Sequence, residues 1–526
     1  MLTRRIAAPP ESVLQAALRP IATGFADPVQ PEAQERKVTW GSVPDIAISV
    51  TRTAEVTPDG DGSTLALRTS TEFRLPYFRW LIGLLVRRAV RSGAEHMADV
   101  IEARATGLPD PKRPRRPVWA PPDRLTPEQA ASISTVCAIL AVVTYGGSLF
   151  TQTSHYIAST FGATDSDLGI ALAFTRAGTL IGLLGSILSD RRGRRLMLIV
   201  ATVAVGISTV VSAVAPSLPI FTGLQIVNRG FVNLVAVVGF ITVTEEASEG
   251  GRAYMLALAS IASAAGFALG ALLLPVADLA PEAWRWLYAL SAVGLVMVPG
   301  LAKNLPETRR FAAMAGRAAR ARTAEIVDRL YGPRFVVVAL TGLLLNFFAA
   351  PTSQFTNRYL ADDHGYSGLD ILLMRFFTQG PPALIAVWAG GRIAESSGRK
   401  PIAARASLLM AVTTAAFFLA GGPLLWLTLM ISTVAGALSG PALAAFNTEL
   451  FPTEVRGRAG GWLLVVAVVG SVLGILLTGF LAAPLGSVGN AAAITAAGPA
   501  IVGLALVRLL PEARGRKLDE VSPPEV

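Results

Sequence analysis

"GSILSDRRGRR", Gly185–Arg195, closes a long apolar run with one aspartate and four arginines. Such an ending marks where a hydrophobic helix meets water. A second stretch, "GGRIAESSGRK", follows another apolar run at Gly390–Lys400. Gly193 and Gly398 stand 205 positions apart, and the same offset sets Asp190 on Glu395 and Gly185 on Gly390. A solvated helix end by itself gives no reason to keep that spacing.

The offset recurs along the chain. "LPETRR" and "LPEARG" place Pro306 and Pro511 205 apart. "EEASEGGR" and "ELFPTEVRGR" map Glu245 and Arg252 onto Glu449 and Arg456 at 204. "HYIAS" and "RYLAD" map Tyr156 onto Tyr359 at 203. Four landmarks in one order describe a duplicated unit.

Composition says what is duplicated. The 526 residues are 52% hydrophobic and 16% charged, with a mean hydropathy of +0.52. Between Ala131 and Leu510, apolar segments of roughly 18–25 residues follow one another, each long enough to cross a bilayer. About twelve are expected, two sets of six. The fold class is an all-α polytopic membrane protein in two six-helix halves related as a parallel repeat, the architecture of one large class of secondary transporter.

Charge orients it. "DRRGRR", "RRFAAMAGRAARAR", "SGRKPIAARA" and "VRGR" lie in alternate loops, while "FGATDSD", "APSLP", "AGGP" and "APLGSVGN" carry no lysine or arginine. The exceptions are single loop residues, Arg285 and Arg358. By the positive-inside rule both termini are cytoplasmic and the protein is multi-pass in the plasma (inner) membrane. The net charge of +10 then reflects topology, and no nucleic-acid partner is expected.

The first 130 residues differ. They lack a signal-peptide core, and a lone cysteine, Cys137, excludes an internal disulfide framework. "LTRRIA" reads as a strand and "PPESVLQAAL" as a helix opened by prolines. "IAISVTRTAEVTP" and "STLALRTSTEFRL" read as strands about the turn "DGDG", before a long amphipathic helix from Tyr77. The pattern resembles the START-like (polyketide cyclase/lipid transfer) helix-grip fold, a small α+β unit that would bind an apolar ligand or lie on the membrane surface with its arginines toward headgroups. The domain plan is 1–107 soluble module, 108–130 Pro/Arg-rich linker, 131–310 first half, 311–332 basic loop, 333–510 second half and 511–526 tail. Residues 1–107 hold no acid–base or nucleophile–base pair, His96 being their one histidine, so no enzyme is expected; nor is a cofactor or metal.

The membrane motifs resemble the major facilitator superfamily. "GSILSDRRGRR" is similar to its helix 2–3 signature and "IAESSGRK" to the weaker copy between helices 8 and 9. "PETRR", "PEARGRKLDEV" and "ELFPTEVRGR" resemble segments of its sugar-porter and metabolite–proton symporter branches. "PTSQFTNRYLADDHGYS" looks closer to the metabolite symporters, since helix 7 lacks the glutamine-rich sugar-porter signature. The resemblance implies alternating access, with a cytoplasmic gate built from Gly185, Asp190, Gly193 and Arg194, from Glu395, Gly398 and Arg399 in the second half, and from the pairs Glu245–Arg252 and Glu449–Arg456. A static surface ion pair is the plainer reading of those charges.

Three arginines, Arg176, Arg229 and Arg375, fall inside apolar segments with no carboxylate at like depth. Each costs at least about 2.5–3.5 kcal/mol there unless it faces a cavity or partner. An anionic solute would supply the missing countercharge, with Asn233, Gln152, Tyr145, Asn346, Gln354 and Asn357 as neutral hydrogen-bonding groups. Bonding to helix carbonyls, or snorkelling, is the alternative. No phosphate-cradling G-x-x-x-x-G-K-[ST] occurs, so a gradient or exchange drives transport. A co-transported proton has one candidate carrier, His155, which reads equally as an interfacial residue. Organic anion, drug or lipophilic efflux, sugar, and a membrane-tethered sensor are the functional classes to separate.

Overall fold

In the computed structural model the described residues are 2–19, 21–23, 31–34, 36–41, 48–73, 75–112, 114, 117, 125–247, 252–307, 333–397, 399–449, 453–506 and 509. The N-terminal module runs β1 (Leu2–Ile6), α1 (Pro10–Ala17), β2 (Glu32–Gln34), β3 (Lys37–Trp40), β4 (Ile48–Asp59), β5 (Gly62–Phe73) and α2 (Arg79–Ala105). Its antiparallel sheet has the order β1-β5-β4-β3-β2. Alternation along β4 and β5 buries Val50, Ala54, Val56, Leu65 and Leu67 on one face, where Val13, Ala17, Met97 and Ile101 from α1 and α2 close the core. The "DGDG" turn is as read: Asp59 pairs with Gly62, and Gly60 takes φ 61°. Strands β2 and β3 were not foreseen, because three and four residues are too few to show a period. Trp40 and Arg52, each 1% exposed, are buried in the module.

The membrane body contains α3 (Pro127–Phe161), α4 (Asp165–Ala177), α5 (Thr179–Arg192), α6 (Arg194–Ser212), α7 (Leu218–Glu246), α8 (Arg252–Leu272), α9 (Trp284–Ala289) and α10 (Ala292–Asn304). Its second half contains α11 (Pro333–Asp362), α12 (Gly368–Gln379), α13 (Pro381–Ser397), α14 (Arg399–Leu419), α15 (Pro423–Glu449), α16 (Thr453–Ala482), α17 (Val488–Ile494) and α18 (Ala497–Ile501). Among the described residues, eleven stretches are long and apolar enough to cross a membrane. The expected eighth crossing is not among them; its place holds α12 and α13, of 12 and 17 residues. Gly380 and Pro381 interrupt the helix there, since proline has no N–H to donate.

The repeat is visible as matched contacts. Thr164 with Asp167 and Ser367 with Asp370 form capping boxes opening α4 and α12. A Cβ on Gly185 would stand 2.8 Å from the Leu234 side chain, and one on Gly390 2.5 Å from the Leu438 carbonyl. These glycines bring the second and fourth helices of each half together at equivalent points.

The module is not held by its linker alone. Leu75 joins the hydrophobic cluster that includes Leu125, Ile133, Leu301 and Leu305, and Tyr77, Phe78 and Ile82 pack against that cluster. Phe78 has φ 58°, a left-handed conformation costly for a residue with a Cβ, and its contacts hold it there. The Tyr77 hydroxyl meets the Asn304 amide; burial raises its pKa and that hydrogen bond lowers it.

Candidate functional site

Arg176 lies in the last turn of α4 and Arg229 near the middle of α7. Both line one small cavity with Gly147, Phe150, Thr151, Asn228 and Gln354, so the two halves meet there through Gln354 of α11. Its volume is about 20 Å³, room for one water. The polar side chains around it are partly committed. Thr151 Oγ1 donates to Gln354 Oε1 at 2.8 Å, and Asn228 Nδ2 donates to Thr209 Oγ1 at 2.7 Å. Arg229 Nε is buried without a hydrogen-bond partner among the described residues. A half-buried arginine whose buried Nε is idle, beside a second half-buried arginine, can meet an acceptor-rich ligand.

Other expected ligand groups fall elsewhere. Asn233 donates to Thr179 Oγ1 at 3.0 Å and to the Arg229 carbonyl at 2.9 Å. Tyr145 donates to the Leu287 carbonyl at 2.7 Å. Asn346 donates to the Gly342 carbonyl at 2.9 Å. Asn357 Nδ2 donates to the Gln152 carbonyl at 2.9 Å and to its Oε1 at 3.1 Å, a link between the halves. Arg375, on α12, is half-buried; its Nε also has no partner among the described residues.

At the end of the bundle that carries "DRRGRR", Gly193 has φ 96°. The Glu307 carboxylate accepts from the backbone N–H of Arg194 at 2.8 Å and of Arg195 at 3.3 Å. An anion on the N-terminus of α6 satisfies orphan donors and the helix dipole. A Cβ on Gly193 would stand 2.3 Å from Glu307 Oε2, so the glycine is needed for both φ and space. Arg194 Nη2 donates to Glu245 Oε1 at 3.1 Å. The side chains of Asp190, Arg252, Glu395, Arg399, Glu449 and Arg456, and all of Gly398, lie outside the described residues. Gly193→Ala is expected to lower the melting temperature by several degrees, more than Glu307→Gln does, because it adds left-handed strain of about 1–2 kcal/mol to the lost docking. A thermal melt of both variants in one detergent measures the difference.

The opposite end carries a cluster that sequence reasoning missed. Arg358 was read as a loop residue, but α11 continues to Asp362 and buries it to 8% exposure. Its Nε stands 2.7 Å from Asp165 Oδ1, in the other half, and 3.1 Å from Asp362 Oδ2. Neither is an aligned hydrogen bond; they are charge contacts. His155 Nδ1 lies 2.5 Å from Asp362 Oδ1, so Asp362 sits between Arg358 and His155, which stand at repeat-equivalent positions. Asp278 accepts from the Tyr156 hydroxyl at 2.5 Å and from the backbone N–H of Gly368, opening α12, at 2.8 Å. The other former exception, Arg285, donates to the Ala213 and Ala215 carbonyls at the end of α6. The only advance sign of the cluster was the four-residue step from Arg358 to Asp362.

Comparison with known proteins agrees with this architecture. Residues 134–390 match the family model of the Major Facilitator Superfamily. A glucose facilitated diffusion protein of Zymomonas mobilis is 30% identical over 169 residues, 29% of this chain and 35% of that protein, so the likeness spans about a third of the relative's length. The inward open xylose transporter XylE from E. coli superposes with a TM-score of 0.58 at 19% identity, covering 74% of this chain and 97% of that one. The nucleoside transporter NupG superposes at 0.62 with 13% identity, covering 73% and 100%. The membrane body has the major facilitator fold.

Proposed function

We propose that the chain is a secondary transporter of a small organic anion, bound between the halves against Arg229 and Arg176. The observation that carries the reading is the idle Arg229 Nε beside a second guanidinium, with no carboxylate among the residues lining their cavity. The basic loops would face the cytoplasm. Among the described residues the bonds between the halves gather at the opposite end, which supports reading that end as the outer closure and Gly185, Asp190, Gly193, Arg194 and their counterparts as the cytoplasmic gate. We assign His155 to the outer closure through Asp362. We keep residues 1–107 as an accessory module whose pattern is helix-grip-like, followed by the linker and the two halves.

A sugar is the second reading, favoured by the likeness to a glucose facilitated diffusion protein and a xylose transporter. A thermal-shift screen of the purified protein against carboxylates, phosphates, neutral sugars and lipophilic cations separates them. An anion at about 100 times its Kd should stabilise by about 2.7 kcal/mol. Stabilisation by neutral sugars alone overturns the anion reading. The gate has its own test: Asp190→Asn should leave insertion intact and slow transport, and a wild-type rate at saturating solute removes Asp190 from it.

A further inference from the structure

The first turns of α2 carry a face that the fold does not use. Trp80 is 72% and Leu84 60% exposed, with Leu81 beside them. Arg87, Arg88 and Arg91 follow, all exposed. At 3.6 residues per turn these six fall within an arc of about 120°. The other side of the helix is spoken for, since Val86 and Val90 are buried and Ile82 packs on the bundle.

Position says what this face meets. Tyr77 reaches Asn304, the last residue of the span Trp284–Asn304, and its hydroxyl would stand 3.0 Å from a Cβ on Gly300. Helix α2 therefore begins where that span leaves the membrane. Val293 and Val296 on the same span point outward, a surface that lipid covers. Along α2 the apolar residues come first and the arginines later, with Leu84 and Arg88 about 6 Å apart on the axis. A bilayer has the same order, acyl boundary and then phosphate. A soluble protein partner would not require it.

We propose that this face of α2 is a lipid-contact surface, with Trp80, Leu81 and Leu84 in the membrane interface and Arg87, Arg88 and Arg91 binding the phosphates of anionic phospholipids. Trp is suited to that depth because its ring is apolar and its N–H polar, and arginine forks match phosphate oxygens. Arg91 also bonds Glu95 at 3.1 Å, an exposed pair that a phosphate can displace at little cost. The proposal rests on the membrane placement of the spans and not on the identity of the solute.

The test uses the full chain in nanodiscs, with Cys137→Ser and a fluorophore on Leu81→Cys, or on Asp61→Cys in the exposed hairpin turn as reference. The Leu81 label should be quenched by a spin label on the lipid and shielded several-fold from acrylamide relative to the Asp61 label. Equal acrylamide quenching at both sites, with no effect of the lipid quencher, overturns the proposal and leaves a soluble partner as the occupant. The headgroup part is read by native mass spectrometry of phosphatidylglycerol retained through detergent exchange. Each arginine is worth roughly fivefold near an anionic surface, so Arg87→Gln with Arg88→Gln and Arg91→Gln should cut retention at least tenfold, while three lysines preserve most of it. Unchanged retention in the glutamine variant overturns the phosphate role. Neither readout depends on transport, so failure here leaves the solute reading untouched.

Discussion

Arg229→Ala is expected to abolish solute binding while the protein still inserts and purifies. The cavity it shares with Arg176 lies between α4 and α7 of the first half and Gln354 of the second. Losing one partner of a desolvated charge pair typically costs about 2–5 kcal/mol, tens- to thousands-fold in affinity. Arg229→Lys should recover only part of this, because lysine keeps the charge without the planar fork that holds a carboxylate by two bonds. If Arg229 is structural, the pattern reverses: yield and melting temperature fall and affinity stays constant in what survives. A binding titration on both variants, with an anion that stabilises the native protein, decides. Unchanged affinity in the alanine variant takes Arg229 out of the site.

What the sequence revealed and what it hid divide along locality. Features set by a few adjacent residues were legible: the apolar runs, the β4–β5 hairpin, and the glycine that recurs at 185 and 390 because each half packs its second helix on its fourth there. Features that depend on a distant partner were not. Glu307 explains Gly193, but 113 positions separate it from the N–H of Arg194 that it accepts. Arg358 was misread because a helix that outlasts its apolar run looks like a loop; Asp165, its partner across the halves, carries no mark of that role. The docking of Leu75 through Ile82 on the bundle was hidden by the linker between them in sequence. The arginines inside apolar runs announced a cavity by their cost alone; which neutral side chains share it was beyond the pattern, and Gln354 lines it while Tyr145 is turned to the Leu287 carbonyl.

The cluster at the far end predicts a second large effect. Among the described residues Arg358 is the one buried cation facing both Asp165 and Asp362, and Asp165 belongs to the other half. Arg358→Met leaves two carboxylates, 27% and 34% exposed, with the His155 imidazole beside Asp362 and without their guanidinium. Truncating one member of a buried pair costs about 3–5 kcal/mol, and partial exposure puts this case toward the low end. On the proposed alternating-access reading, with the basic loops inside, the cost falls on the closed outer state alone, because the halves would separate there on opening outward. Two results follow. The melting temperature should drop, and a thiol at Thr151→Cys, in a Cys137→Ser background, should react at least tenfold faster with an impermeant maleimide added from that side. Neutralising the partners as well, with Asp165→Asn and Asp362→Asn added to Arg358→Met, should restore much of the melting temperature, since no uncompensated charge is left buried. A purely local packing role for Arg358 predicts no rescue. Wild-type labelling and melting in the single variant would show that closure rests on the remaining links, Asp278 to the N–H of Gly368 and Asn357 to Gln152, and not on the arginine.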